Sequence, residues 1–139
     1  LIRIAVPKLG LRRAGLLGLG FNLIAFVGYA FAETALLAYL FLIPGALGAL
    51  ASPAMSGIAS GQIGADQQGE LQGAIGSMVS LTSIISPPMM NITFSLFTEN
   101  PSALYFQGAP FILAAFLALL SIFLFARTTA GARLPGHAT

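Results

Sequence analysis

Four stretches of this chain run without a charged residue: 14–32, 34–65, 71–98 and 100–126, of 19, 32, 28 and 27 residues. A helix rises about 1.5 Å per residue and needs roughly 20 apolar residues to cross about 30 Å of hydrocarbon, so each stretch is long enough to span a bilayer. The pattern predicts four helices, at about 14–32, 35–58, 73–97 and 109–126. The runs are continuously apolar and lack the alternation of lipid-facing and lumen-facing residues that a spanning strand requires, which argues against a barrel. The expected fold class is therefore all-α, a polytopic transmembrane helix bundle of four spans.

Composition strengthens this reading. Of 139 residues 57% are apolar and 7% charged, where a soluble domain carries about 25% charged residues. With a mean hydropathy of +0.91, so short a chain cannot hide its hydrocarbon in one core, and its outside must face lipid. Cysteine is absent, which removes disulfides, thiolate metal sites and cysteine nucleophiles together. The net charge of +2 does not mark a nucleic-acid partner, because the cations form no stripe with interleaved aromatics. Arg3, Lys8, Arg12 and Arg13 precede the first span, and Arg127 and Arg133 follow the last. Four crossings bring all six to one side, with Asp66 and Glu70, and leave Glu33 and Glu99 on the other. By the positive-inside rule the cationic side, and with it both ends of the chain, is cytoplasmic.

The segments outside the spans differ in kind. Residues 1–13 read as a cytoplasmic basic loop and the exit of a preceding helix, since Leu1 is not a methionine and Leu1 to Val6 is apolar apart from Arg3. The polypeptide reads as a piece of something longer, with no evident cleaved signal peptide. Glu33-Thr34 forms a tight outer turn, and 59–72 a Gly/Gln-rich inner loop. Thr98 to Gly108 forms an outer loop ending at Pro110, a good first helical residue. Asp66 is a candidate cap for the third helix, whose dipole also favours Glu70. The tail 127–139 is rich in Gly, Ala, Thr and Pro, and its His137 has no neighbour with which to build a metal or catalytic site. No acid, base or histidine lies at mid-membrane, and no nucleophile has a histidine nearby, so an enzyme, a bound metal and a cofactor are not expected.

Within the spans three features stand out. Small residues recur at intervals of four, which lets helices approach closely in lipid: Gly45 and Ala49; Gly48, Ser52, Ser56 and Ser60; Gly73 and Ser77; Gly76 and Ser80; Ala114 and Ala118. Bulky faces such as Phe116, Leu117, Leu120, Phe123 and Leu124 are expected to meet lipid. Prolines 44, 53, 87 and 88 each remove a hydrogen bond, freeing the carbonyls of Leu40, Ala49, Ser83 and Ile84, which a neighbour, a hydroxyl or water must satisfy. Pro44, Pro53, Pro87 and Pro88 are thus candidate hinges, with a static kink as the alternative, and the hydroxyls of Ser83 and Ser86 are candidate local partners. Asn22 and Asn91 are the amides at depth; Asn22 fits an interhelical hydrogen bond better than a ligand contact, and Asn91 fits either.

The residues also carry a resemblance. Ile2-Arg3, Lys8-Leu9-Gly10-Leu11-Arg12-Arg13, Asp66-Gln67-Gln68-Gly69-Glu70-Leu71-Gln72-Gly73, Ser80-Leu81-Thr82-Ser83-Ile84-Ile85-Ser86-Pro87 and Tyr105-Phe106-Gln107-Gly108-Ala109-Pro110-Phe111 resemble the C-terminal third of tetracycline-resistance-type transporters of the major facilitator superfamily. The resemblance covers roughly residues 2–126. It implies that the four spans correspond to the last four helices of a twelve-helix fold. In that frame the second and third spans border the central cavity, while the first and fourth lie further out. Met55, Ser56, Ser83, Ser86 and Asn91 are then the candidate cavity residues. Lys8, Arg12 and Arg13, with Asp66 and Glu70, would serve a cytoplasmic gate or simply set orientation; Pro7 and Leu11 depart from the gating motif.

The implied function is proton-coupled efflux of tetracycline-like or other small amphipathic drugs by alternating access, in a bacterial inner membrane, with the bilayer, the remaining helices, a small-molecule substrate and protons as partners. Two rivals fit the pattern of spans: a four-helix multidrug transporter acting as a dimer, which would need an acid inside a span where this chain has Glu33 at a helix end, and a non-transporting structural subunit. The topology makes a direct prediction. Trypsin added to one side of sealed vesicles should cut at both Arg13 and Arg127 or at neither; cleavage at one alone would break the four-crossing scheme.

Overall fold

A computed structural model describes residues 10–98 and 106–130. Lys8, Glu99, Arg133 and His137 lie outside the described residues, as do Arg3 and most of the basic loop. Five α-helices follow in order: α1 Leu11–Ala30, α2 Ala35–Gly48, α3 Ala51–Ser60, α4 Gln68–Thr98 and α5 Ala109–Ala130, with a single 3-10 turn at Ala65–Gln67. No strand occurs among them.

Helix α1 starts after Gly10, whose φ of 77° lies in the left-handed region that glycine enters without strain. It ends at a bend before Thr34, whose hydroxyl accepts from the amide of Leu37 and opens α2. The second expected span is interrupted. Pro44 is absorbed within α2, but the helix stops at Gly48 and resumes at Ala51. Across the gap the amides of Ala49 and Leu50 bond back only three residues, to Ala46 and Leu47, at 3.3 and 3.2 Å. Pro53 cannot donate to the carbonyl of Ala49, and the tightening sits in the turn before it. Together α2 and α3 still form one apolar segment of 26 residues.

The connection between α3 and α4 carries a bond that the pattern of apolar runs does not reveal. The Gln68 side chain donates to the Ser60 carbonyl at 2.9 Å, so the first residue of α4 satisfies an orphan carbonyl at the end of α3. Asp66, expected as a cap, lies inside the 3-10 turn instead, and that turn has no side-chain cap. Gly64 precedes it, and a methyl there would overlap the Asp66 carboxylate. Glu70 occupies the first turn of α4 as expected.

Helix α4 runs for 31 residues through Pro87 and Pro88 without a break. Six of its hydroxyls are consumed internally: Ser77, Thr82, Ser83, Ser86, Thr93 and Thr98 each donate to the carbonyl four residues earlier, at 2.7–2.9 Å. Ser83 and Ser86 therefore bond to Val79 and Thr82, not to the carbonyls of Ser83 and Ile84 that the prolines free. Helical side chains lean toward the N-terminus, so Ser83 cannot reach forward to its own or the Ile84 carbonyl, and Ser86 takes the carbonyl four residues back rather than the one three back. Among the described residues, α1, the α2–α3 segment and α5 are by length and composition the three helices that qualify to cross a membrane. The abundant Ser, Thr, Pro and Asn of α4 dilute its hydropathy, and a fourth span is not established by these criteria.

The packing centre is α1, which lies against α2, α3 and α5, while α4 touches α3 and α5 only lightly and buries none of its residues. The resemblance places the first span further out than the second and third; within this chain it is the hub. Its buried face, Ala14, Gly15, Gly18, Leu19, Ala25, Gly28 and Ala30, is almost entirely small. A Cβ at Gly18 would overlap the backbone of Ala51, one at Gly28 the ring of Phe41, and one at Gly15 would come within 2.7 Å of Phe125. Such contacts require bare backbone, and they bring α3, α2 and α5 respectively onto one helix. The faces of α5 expected to meet lipid, from Phe116 to Leu124, are exposed.

Gly18→Ala should destabilise the bundle by about 1–3 kcal/mol, the usual cost of forcing extra volume into a tight contact. Gly76→Ala, where nothing lies within 4 Å, should be neutral or slightly stabilising. Thermal unfolding in detergent followed by circular dichroism distinguishes the two.

Candidate functional site

The interruption between α2 and α3 shapes a groove. A cavity of about 660 Å³ opens there, walled by Leu19 and Asn22 of α1, the Gly45–Ala49 end of α2, one side of α3 and Ile75 of α4. Its lining is mostly apolar, with Asn22, Ser52 and Ser56 as polar points, a composition suited to small amphipathic ligands. Met55 adds a flexible, polarizable wall. Gly48, Ser52 and Ser56, which read in the sequence as a packing ridge, border this opening.

Asn22 positions the groove. Its amide donates to the Gly48 carbonyl at 3.2 Å, and a Cβ on Gly48 would collide with the Asn22 side chain, so the amide fits only against a glycine. The bond lies where α2 gives up its regular ladder, and it supplies a donor to a backbone carbonyl that hydrocarbon would leave unsatisfied. Asn22 is thus an interhelical donor and a groove residue at once.

Of the expected cavity residues, Met55 and Ser56 line the groove. Ser83, Ser86 and Asn91 do not; they lie further along α4, with Ser83 and Asn91 exposed and Ser86 half-buried. The lining also includes Leu19, Asn22, Gly45, Ser52 and Ile75, none of which was singled out in the sequence as lining a cavity. Asn22 had a legible signal, an amide in mid-span, but its partner depends on how the helices meet. Pro53, Pro87 and Pro88 are exposed, and Pro44 half-buried.

The ends of the bundle are chemically distinct. Arg12 donates through Nε to the Thr129 hydroxyl at 3.2 Å and through its second terminal nitrogen to the Ala126 carbonyl at 3.5 Å. Buried Thr129 in turn donates to Phe125 at 2.6 Å. A guanidinium here caps the C-terminal end of α5 and opposes its dipole. The contact places the start of α1 beside the end of α5. Arg12 is engaged with a hydroxyl and a carbonyl, while Arg13, Asp66 and Glu70 are exposed. Arg127 lies 4.6 Å from the centre of the Phe123 ring. Among the described residues no group of three or more His, Cys, Asp or Glu could hold a metal ion.

Apolar helices of membrane-crossing length, small-residue seams and outward-facing Leu, Ile and Phe define an integral membrane protein of all-helical class. The chain is 30% identical over 118 residues to the class C tetracycline resistance protein of Escherichia coli, covering 85% of this chain and 28% of that protein. It is 29% identical over 134 residues to hippocampus abundant transcript-like protein 1 of Homo sapiens, covering 86% and 26%, with similar matches in mouse and rat. The chain therefore spans about a quarter of the length of these relatives, and the likeness is of the major-facilitator kind. No family model and no solved structure matches.

Asn22→Leu should remove the bond to Gly48 and lower stability by roughly 0.6 kcal/mol, the mean measured for interhelical hydrogen bonds in a membrane protein, and by no more than about 1.7 kcal/mol, the largest. Unfolding of wild type and variant in mixed micelles reads the difference.

Proposed function

We propose that this chain forms part of a secondary active transporter that moves small amphipathic molecules by alternating access, and that the groove beside Asn22 is part of the substrate path. The observation that carries the reading is the coincidence of two features. An apolar groove with three polar points lies at a helix interruption, and the relatives include a tetracycline resistance protein. Irregular backbone at membrane depth is tolerated where protein or a cavity covers it, and broken helices of this type supply binding sites in transporters. The function is conformational exchange and not bond chemistry.

In this reading the described helices correspond to the last four of twelve, with α4 as the third crossing. Both ends of the chain lie in the cytoplasm of a bacterial cell, the transported molecule is a tetracycline-like or other small amphipathic drug, and proton entry drives its efflux. The contact of Arg12 with the end of α5 supports an even number of crossings between them. The α4 helix is long enough, at about 46 Å, to cross with turns to spare. Its uncovered faces suit contact with lipid and with the remaining helices, and Ser83, Ser86 and Asn91 lie on a length of α4 that such helices would border. Lys8, Arg12 and Arg13 serve orientation, with Arg12 also locking α1 to α5.

Three measurements test the proposal. In proteoliposomes with an imposed proton gradient, this chain alone should accumulate no tetracycline, and the longer protein that contains it should; accumulation by the chain alone would favour the dimeric four-helix rival. Within the transporting protein, Ser56→Phe, which fills the groove, should abolish uptake. Pro87→Ala should slow turnover several-fold at normal membrane insertion, because restoring a backbone donor stiffens the helix. Unchanged uptake in the Ser56 variant would remove the groove from the path.

A further inference from the structure

A second, smaller cavity lies at the end of the bundle opposite Arg12, between the close of α1 and the start of α5, with a volume of about 360 Å³. Four aromatic rings border it, Tyr29, Phe31, Phe106 and Phe111, together with Glu33. The rings form two tilted pairs. Tyr29 and Phe111 have centroids 5.6 Å apart with planes at 51°, and Phe31 and Phe106 have centroids 5.8 Å apart at 52°. Gly108 makes this possible: a Cβ there would overlap the Ala30 carbonyl oxygen, so bare backbone brings the Phe106–Phe111 segment against the end of α1.

Ring faces carry the negative part of the aromatic quadrupole and attract a cation within about 6 Å of the centroid, and several rings together recognise alkylammonium groups. A carboxylate on the same wall adds a full negative charge. The cations among the described residues, Arg12, Arg13 and Arg127, lie at the other end of α1, about 30 Å away for a 20-residue helix. At that distance screening removes their influence on Glu33. An anion would meet repulsion from both the rings and the carboxylate. The volume lies at the small end of ligand pockets, which fits a compact head and excludes a polycyclic drug.

We propose that this cavity binds a compact alkylammonium group, held by the four rings and Glu33, at a site separate from the groove and independent of the transport reading. The group can come from a free organic cation or from the headgroup of a choline phospholipid at the bilayer surface; the recognising chemistry is the same.

The test uses the full chain in a non-ionic detergent, titrated with tetramethylammonium chloride at constant ionic strength and followed by calorimetry. The expected result is saturable binding, weakened about tenfold or more by Glu33→Gln, a difference of at least about 1.4 kcal/mol. Phe106→Leu should weaken it as well. Glu33 is exposed, so the first variant keeps the fold, which unchanged helicity by circular dichroism checks. No saturation up to about 0.1 M, or equal binding by Glu33→Gln, overturns the proposal. Nanodiscs separate the two sources. Binding that persists in phosphatidylglycerol and disappears in phosphatidylcholine assigns the site to the lipid headgroup, and binding in both assigns it to a free cation.

Discussion

Helices surrounded by hydrocarbon gain little by hiding leucine from one another, so this bundle depends on how closely the backbone of α1 approaches its neighbours. Among the described residues, eight of the ten buried apolar residues are alanine, and no large side chain is fully enclosed. Association here comes from dispersion between closely spaced backbones, and it is possible only where Gly15, Gly18 and Gly28 leave the surface of α1 bare. Most of the leucine, isoleucine and phenylalanine of α2, α4 and α5, which would form the core of a soluble bundle, is exposed, while Leu19 and Ile58 are buried.

The same environment explains the polar bonds. In lipid each unpaired polar group costs several kcal/mol, and among the described residues no buried side-chain nitrogen or oxygen lacks a partner. Asn22 serves the Gly48 carbonyl, Gln68 the end of α3, Arg12 the end of α5, and the hydroxyls of α4 its own backbone. Two of these bonds hold the α2–α3 segment at its interruption and at its end. The groove is what remains when a helix is broken by Pro53, held by an amide across the gap, and flanked by residues too small to fill the space.

Much of the fold was legible along the chain because hydrophobic length and charge placement act locally. The 19 residues between Arg13 and Glu33, and the 27 between Glu99 and Arg127, predicted α1 and α5 with ends shifted by only a few residues. Met55 and Ser56 border the groove, and the resemblance, not the local pattern, is what singled them out; that the groove carries substrate belongs to the proposal. The division of the second span was not read in advance. Pro44 and Pro53 carry the same chemical signal, yet only the second sits beside a break, where Asn22 takes up the Gly48 carbonyl.

The sequence by itself determined that this is a membrane-embedded helical protein, since a chain with ten charges in 139 residues and long uncharged runs has no other way to satisfy its backbone and its apolar surface. Only the tertiary structure decided which small residues are seams and which are walls. Gly18 and Gly76 look alike in the sequence, but one lies against Ala51 and the other faces open space. That difference comes from the relative placement of whole helices, which no local pattern records.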